Sequence, residues 1–146
     1  MRALVQRVRH ASVRVDQRQL GAIDEGLLVL LGVAPDDGPE QARWLAGKLA
    51  RLRIFQDPEG RMNLSLLDVG GAALVVSQFT LYADCRRGNR PSFVRSAAPH
   101  EAEPLYDRFC ELLQEQGVPV ERGEFGALMD ITLLNHGPVT IVVDTP

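Results

Sequence analysis

The β-branched, apolar run Ala72-Ala73-Leu74-Val75-Val76 reads as a strand buried on both faces, and it ends in Ser77-Gln78-Phe79-Thr80-Leu81. Three polar side chains thus arrive within four residues of a buried strand. A buried hydroxyl or amide without a partner costs on the order of 1–3 kcal/mol, so Ser77, Gln78 and Thr80 are either hydrogen-bonded or facing a cleft. The plain alternative is a strand emerging into solvent with ordinary alternation, Gln78 and Thr80 outward and Phe79 and Leu81 inward.

A second interruption lies near the C-terminus, where Asn135-His136-Gly137-Pro138 separates the β-run Met129–Leu134 from the β-run Val139–Val143. Proline supplies no N–H and glycine tolerates nearly any backbone conformation, so the ladder must break here. A simple loop with Asn135 setting the turn would satisfy the same spelling. The sequence does not reveal the isomer of the Gly137–Pro138 bond, since only about 5–6% of X-Pro bonds in folded proteins are cis.

At 146 residues the chain fits one compact domain, residues 1–146, with no repeat or linker-like stretch. Its longest strongly apolar run, Gly26 to Ala34, is too short to span a bilayer, and strand-like alternation begins at once where a signal peptide would stand. A soluble, cytoplasmic protein is expected. Cys85 and Cys110 have no C-x-x-C spacing, and His10, His100 and His136 have no partners at ligand spacing, so neither a disulfide framework nor a metal site is expected. A formal charge of -3 argues against a protein that coats nucleic acid. An RNA partner would have to be gripped locally, and Arg86-Arg87-Gly88-Asn89-Arg90, with Arg95 beyond, is the candidate; a solvated turn is the bland reading.

Alternation and short β-branched runs predict strands over 2–9, 12–16, 26–33, 73–82, 118–125, 128–134 and 139–144, with a turn at Asp57-Pro58-Glu59-Gly60. A helix is predicted after Asp36 or Asp37 as cap, with Pro39 in its first turn and Ala42, Leu45, Ala46, Leu49 and Leu52 on one face. Trp44 lies off that stripe and marks a candidate second contact surface. A second helix is predicted from Glu101 to Gln116, with Pro104 required in its first turn. Together these give a mixed α/β domain on a curved sheet with two main helices. Arg7 shares a strand face with Ala3 and Val5, so its guanidinium either finds acceptors inside or lies flat with its head in water.

Taken together, Ser77-Gln78-Phe79-Thr80-Leu81 and Asn135-His136-Gly137-Pro138-Val139-Thr140 resemble the bacterial D-aminoacyl-tRNA deacylase family, also called D-tyrosyl-tRNA deacylase. Met1 to Val8, Gly26 to Val33, Arg53-Ile54-Phe55, Met62-Asn63 and Arg90-Pro91-Ser92-Phe93 extend the resemblance along nearly the whole chain. It implies a barrel-like fold without a cofactor, and hydrolysis of the ester joining a D-amino acid to the terminal adenosine of tRNA. Backbone N–H groups around Gln78 and Phe79 would stabilise the oxyanion, with Thr80 in a positional role and Ser77 supporting the geometry. A cis Gly137–Pro138 unit, braced by Arg7, would hold the α-amino group, exclude L side chains and tolerate glycine. This loop would cross a homodimer interface into the partner's site. Phe125 and Met129 would line the pocket, and Arg86, Arg87 and Arg90 would contact the tRNA acceptor end.

Two other function classes remain open at this stage. Ser77 with His136 and Asp84 or Asp130 could form a serine esterase, although Ser77 lacks a G-x-S-x-G elbow. Alternatively, the domain could bind RNA without catalysis.

Overall fold

The computed structural model describes residues 1–146 as a single α/β domain. Its elements are β1 (Arg2–Val15), β2 (Arg18–Ile23), β3 (Gly26–Gly32), α1 (Pro39–Arg51), β4 (Phe55–Gln56), β5 (Met62–Leu64), α2 (Leu66–Val69), β6 (Ala72–Ser77), α3 (Pro99–Glu115), β7 (Val120–Arg122) and β8 (Asp130–Asp144). The main sheet runs β2-β1-β3-β6-β7, with β8 on β1. β3, β6 and β7 are parallel and the other pairings antiparallel. The sheet curls almost closed, bringing Gly21 of β2 against Glu121 and Arg122 of β7.

Curvature explains why β3 and β6 are apolar on both faces. Leu27, Val29, Leu31, Ala73 and Val75 pack with Leu45, Leu49, Phe109 and Leu113 of the two long helices. Leu28, Leu74 and Val76 pack inside the barrel with Val8, Ala11, Val13 and Ile23. No helix is long and apolar enough to cross a membrane.

Several boundaries depart from the sequence expectations. The predicted strands 2–9 and 12–16 form the single strand β1, whose first half pairs with β3 and second half with β2. The hairpin partner β2, the short β4–β5 pair flanking the predicted turn and one-turn α2 were not anticipated. β7 is shorter than the predicted 118–125. Gly38, not Asp36 or Asp37, is the N-cap of α1: its N–H donates to Gln41 Oε1, while the Asp37 carboxylate accepts from Ala34 N–H and the Met1 ammonium. α3 begins at Pro99, so Pro104 lies beyond its first turn. The position is exposed, and water can satisfy the His100 carbonyl that proline leaves unbonded.

The two predicted C-terminal runs are one strand with an excursion. β8 pairs with β1 along its length, but Gln6 faces Thr140 and Val8 faces Asn135, so residues 136–139 stand opposite Arg7 alone. Arg7, only 4% exposed, fills the gap. Its Nε donates to His136 O at 2.8 Å and its Nη1 to Ile54 O at 2.6 Å. Asn135 closes the base of the excursion, accepting from Val139 N–H at 2.8 Å and donating to Val139 O at 3.2 Å.

Arg7→Met should therefore leave two carbonyls without donors and lower the unfolding free energy in urea by about 2–4 kcal/mol; an unchanged midpoint would remove Arg7 from this bracing role. Acid should act separately. Hydrogen bonds from Arg2 hold Asp144 below the ordinary carboxylate value of 3.8, and the Ser65 N–H and hydroxyl do the same for Asp68. Carboxylates with lowered native pKa values contribute stability above the unfolded value and lose it as pH falls through the native one. The urea midpoint should hold from neutrality to about pH 5 and decline below about pH 4.

Candidate active site

β6 does not continue to residue 82 as the alternating pattern predicted. Gln78 leaves the strand with φ -146° and ψ 80°, and Phe79–Tyr82 form a 3-10 turn. The β3–β6 ladder ends at Leu31 and Ser77, where Gln78 N–H donates to Leu31 O at 2.8 Å. This bond takes up the Gln78 N–H within the sheet, so of the N–H groups around Gln78 and Phe79 it is already committed. The free donors are the N–H groups of Phe79 and Thr80, which open the turn and find no acceptor in the chain. Ser96 Oγ donates to Phe79 O at 2.8 Å, and the Gln78 side-chain amide donates to Thr80 Oγ1.

The turn borders a cleft of about 630 Å³. Ser77, Gln78, Phe79, Phe125 and Met129 all line it, although they come from separate parts of the chain. The walls are mainly apolar, with Leu31, Val33, Val76 and Ala102 among them. Tyr106 lies against Phe125, with ring centroids 6.0 Å apart, and donates from its phenol to Val75 O at 2.9 Å. Burial pushes that phenol's pKa up, so Tyr106 is a neutral wall residue. Cys110 behind it is pushed up to about 11 by burial and stays a thiol.

No histidine lines the cleft, and Glu103 is its only acidic residue. His136 stands instead beside Arg9, whose Nη2 is 3.0 Å from its Nε2. Asp84 is paired with Arg86, which holds its carboxyl well below the usual range. Ser77 thus has none of the partners a serine esterase requires. Thr80 likewise has an amide neighbour and no base.

Arg7, Gly137 and Pro138 do not line the cleft of their own chain. The Gly137–Pro138 peptide is cis, both residues are exposed, and Gly137 has φ +150°. A Cβ there would lie 2.8 Å from Val139 N and 3.3 Å from Arg7 Nη2. Arg86, Arg87 and Arg90 sit together on an exposed loop. Arg86 is engaged by Asp84, whereas Arg87 and Arg90 have no carboxylate partner.

Sequence reasoning missed Phe93 and Ser96. Phe93 meets Phe79 edge-on with centroids 5.0 Å apart, and the only local signal was a lone aromatic in the polar stretch Arg90-Pro91-Ser92-Phe93. Nothing local marked Ser96. Trp44 is 38% exposed with Lys48 Nζ 5.1 Å from its ring centroid.

Known proteins match the chain in sequence and in fold. The sequence model of the family described as D-Tyr-tRNA(Tyr) deacylase matches residues 4–144. The chain is 56% identical to the D-aminoacyl-tRNA deacylase of Desulfatibacillum aliphaticivorans, covering 99% of each chain. It is 59% identical to that of Thermomicrobium roseum, covering 99% of this chain and 94% of the relative. A solved structure titled c-Myc DNA Unwinding Element Binding Protein superposes with a TM-score of 0.93 at 37% identity, covering 100% and 99% of the two chains. The structure of a probable eukaryotic D-amino acid tRNA deacylase, at 22% identity, shares the fold with a TM-score of 0.85 and coverage of 97% of both chains. With the match spanning nearly its whole length, this chain belongs to the D-Tyr-tRNA(Tyr) deacylase family.

Proposed function

We propose that the protein hydrolyses the ester between a D-amino acid and the terminal adenosine of tRNA, working in the cytoplasm as a chiral proofreader of translation. The observation that carries this reading is the pair of unsatisfied N–H donors, Phe79 and Thr80, in a turn whose first residue, Phe79, lines a cleft with no acid–base pair suited to a nucleophile. An aminoacyl ester is already activated, and the neighbouring ribose hydroxyl positions the attacking water. Water adds to the carbonyl carbon, and the negative charge that develops on its oxygen is met by the two N–H groups. The bond to the ribose oxygen then breaks, and that oxygen takes a proton from the added water. One donor of this kind is typically worth about 10²–10³ in rate. The Thr80 hydroxyl and Gln78 amide fix the turn, and Ser77 supports it. Phe125 and Met129 line the substrate pocket.

Selectivity is assigned to Gly137 and Pro138, whose carbonyls hold the α-amino group while the loop backbone blocks an L side chain. A D side chain points to open space, and glycine is also accepted. Since the loop does not line the cleft of its own chain, the reading requires a second copy to supply it. Support comes from β8, which pairs only with β1 and exposes Leu134 at 48% and Val142 at 55%. Arg87 and Arg90, with Arg86 beside Asp84, are assigned to the phosphates of the acceptor end.

Single-turnover assays should show D-tyrosyl-tRNA cleaved and L-tyrosyl-tRNA spared, with no loss on adding a chelator or a serine-directed inhibitor. Equal cleavage of both, or of neither, would overturn the assignment. Gly137→Ala should slow D-ester cleavage at least about tenfold, because the positive φ and the contacts with Val139 and Arg7 leave no place for a methyl group. Mixing Gly137→Ala with a turn-disabled Thr80→Pro protein should restore activity, since exchanged dimers would contain one intact turn facing one intact loop. Failure of the mixture, where subunit exchange is demonstrated, would refute the crossed loop.

A further inference from the structure

The donors at the start of the 3-10 turn require its other end to be fixed, and the residue that fixes it is Arg2. In the sheet Arg2 stands beside Gly32 of β3 on one side and Asp144 of β8 on the other. Its Nε and Nη2 donate to the two Asp144 carboxylate oxygens at 2.7 and 3.1 Å, which fixes the guanidinium plane. Its remaining terminal nitrogen, Nη1, donates to Leu81 O at 3.1 Å. The same group lies over the Tyr82 ring, 5.2 Å from its centroid. That ring rests on Gly32, where a Cβ would sit 3.1 Å from Tyr82 Cε2 and 3.2 Å from Gln78 O. The turn is therefore seated on a flat place in the sheet and held down from its C-terminal side.

We propose that Arg2, locked by Asp144, is a positioning residue for the reaction: by holding Leu81 O and the Tyr82 ring it aims the Phe79 and Thr80 N–H groups at the ester oxygen. The inference rests on the deacylase reading above. Arg2 does not line the cleft, so on this proposal its loss should act on the chemical step and leave binding intact. A displacement of about 1 Å in such a site costs on the order of 10² in rate.

The test compares wild type, Arg2→Met, Arg2→Lys, Asp144→Asn and Gly32→Ala in single-turnover cleavage of D-tyrosyl-tRNA. Arg108→Met, which removes an exposed ion pair with Glu111 and Glu115 on α3, is the control. Arg2→Met should lower the maximal rate about 10–100-fold with KM changed less than about twofold. Arg2→Lys should be intermediate, since an ammonium keeps the charge over Tyr82 and loses the fork. Gly32→Ala should reproduce the loss by lifting the turn from below, and its combination with Arg2→Met should be less than multiplicative. Amide resonances of Phe79 and Thr80 should shift in Arg2→Met and stay put in Arg108→Met. Unmoved resonances, a rate within twofold of wild type, or a loss that merely follows melting temperature as in the control would overturn the proposal. Wild-type protein inactive on D-tyrosyl-tRNA would instead refute the deacylase reading, and the resonance shifts would still report on the clamp.

Discussion

Backbone hydrogen bonding along both edges of β1 organises the molecule. One edge takes β3 and then β2, and the other takes β8 from end to end. A strand so fully paired cannot have a neighbour drop out of register without leaving buried polar groups behind. At Arg7 that happens, and a buried guanidinium replaces the missing ladder by reaching both His136 O and Ile54 O. The chain between Asn135 and Val139 is thereby released from the sheet as an ordered projection.

The parallel ladder of β3 and β6 has a comparable role at the other interrupted segment, Ser77–Leu81. Its last bond, Gln78 N–H to Leu31 O, consumes one donor and sets the direction of the turn that follows. The next two donors then have no partner in the chain. Unsatisfied N–H groups beside an apolar cleft are costly unless water or a ligand meets them, and a developing oxyanion is the ligand that gains most from them. Ser96 below the turn and Arg2 beyond it are tied to it through carbonyl oxygens, so they fix its position without competing for those donors.

Much of the architecture was legible in local spelling. The stripe Ala42, Leu45, Ala46, Leu49 gave α1, and the doubly apolar runs gave β3 and β6. What misled was local as well. Asp37 has the chemistry of a cap, but the Met1 ammonium and Ala34 N–H claim its carboxylate, and no window of neighbouring residues around Asp37 contains Met1. Phe79 and Leu81 alternate correctly with Gln78 and Thr80, yet Phe79 is 57% exposed because the strand has already become a 3-10 turn. β2 was overlooked because Arg18 to Ile23 is polar and glycine-containing; it is a strand because β1 continues past β3 and its open edge needs pairing.

By itself the sequence determined both long helices, most of the long strands and the two places where polar or backbone-distorting residues interrupt β-structure, since periodicity and the chemistry of proline and glycine are properties of adjacent residues. Only the tertiary structure decided that Phe125 and Met129 meet Ser77 and Phe79 in one cleft, while Gly137 and Pro138 stand outside it. Only it decided that Phe79 and Thr80, and not Gln78, keep free N–H groups. The reason is that a hydrogen bond is exclusive: which donor remains available depends on which acceptor the folded chain brings near, and here that acceptor, Leu31 O, lies in a strand far away in sequence.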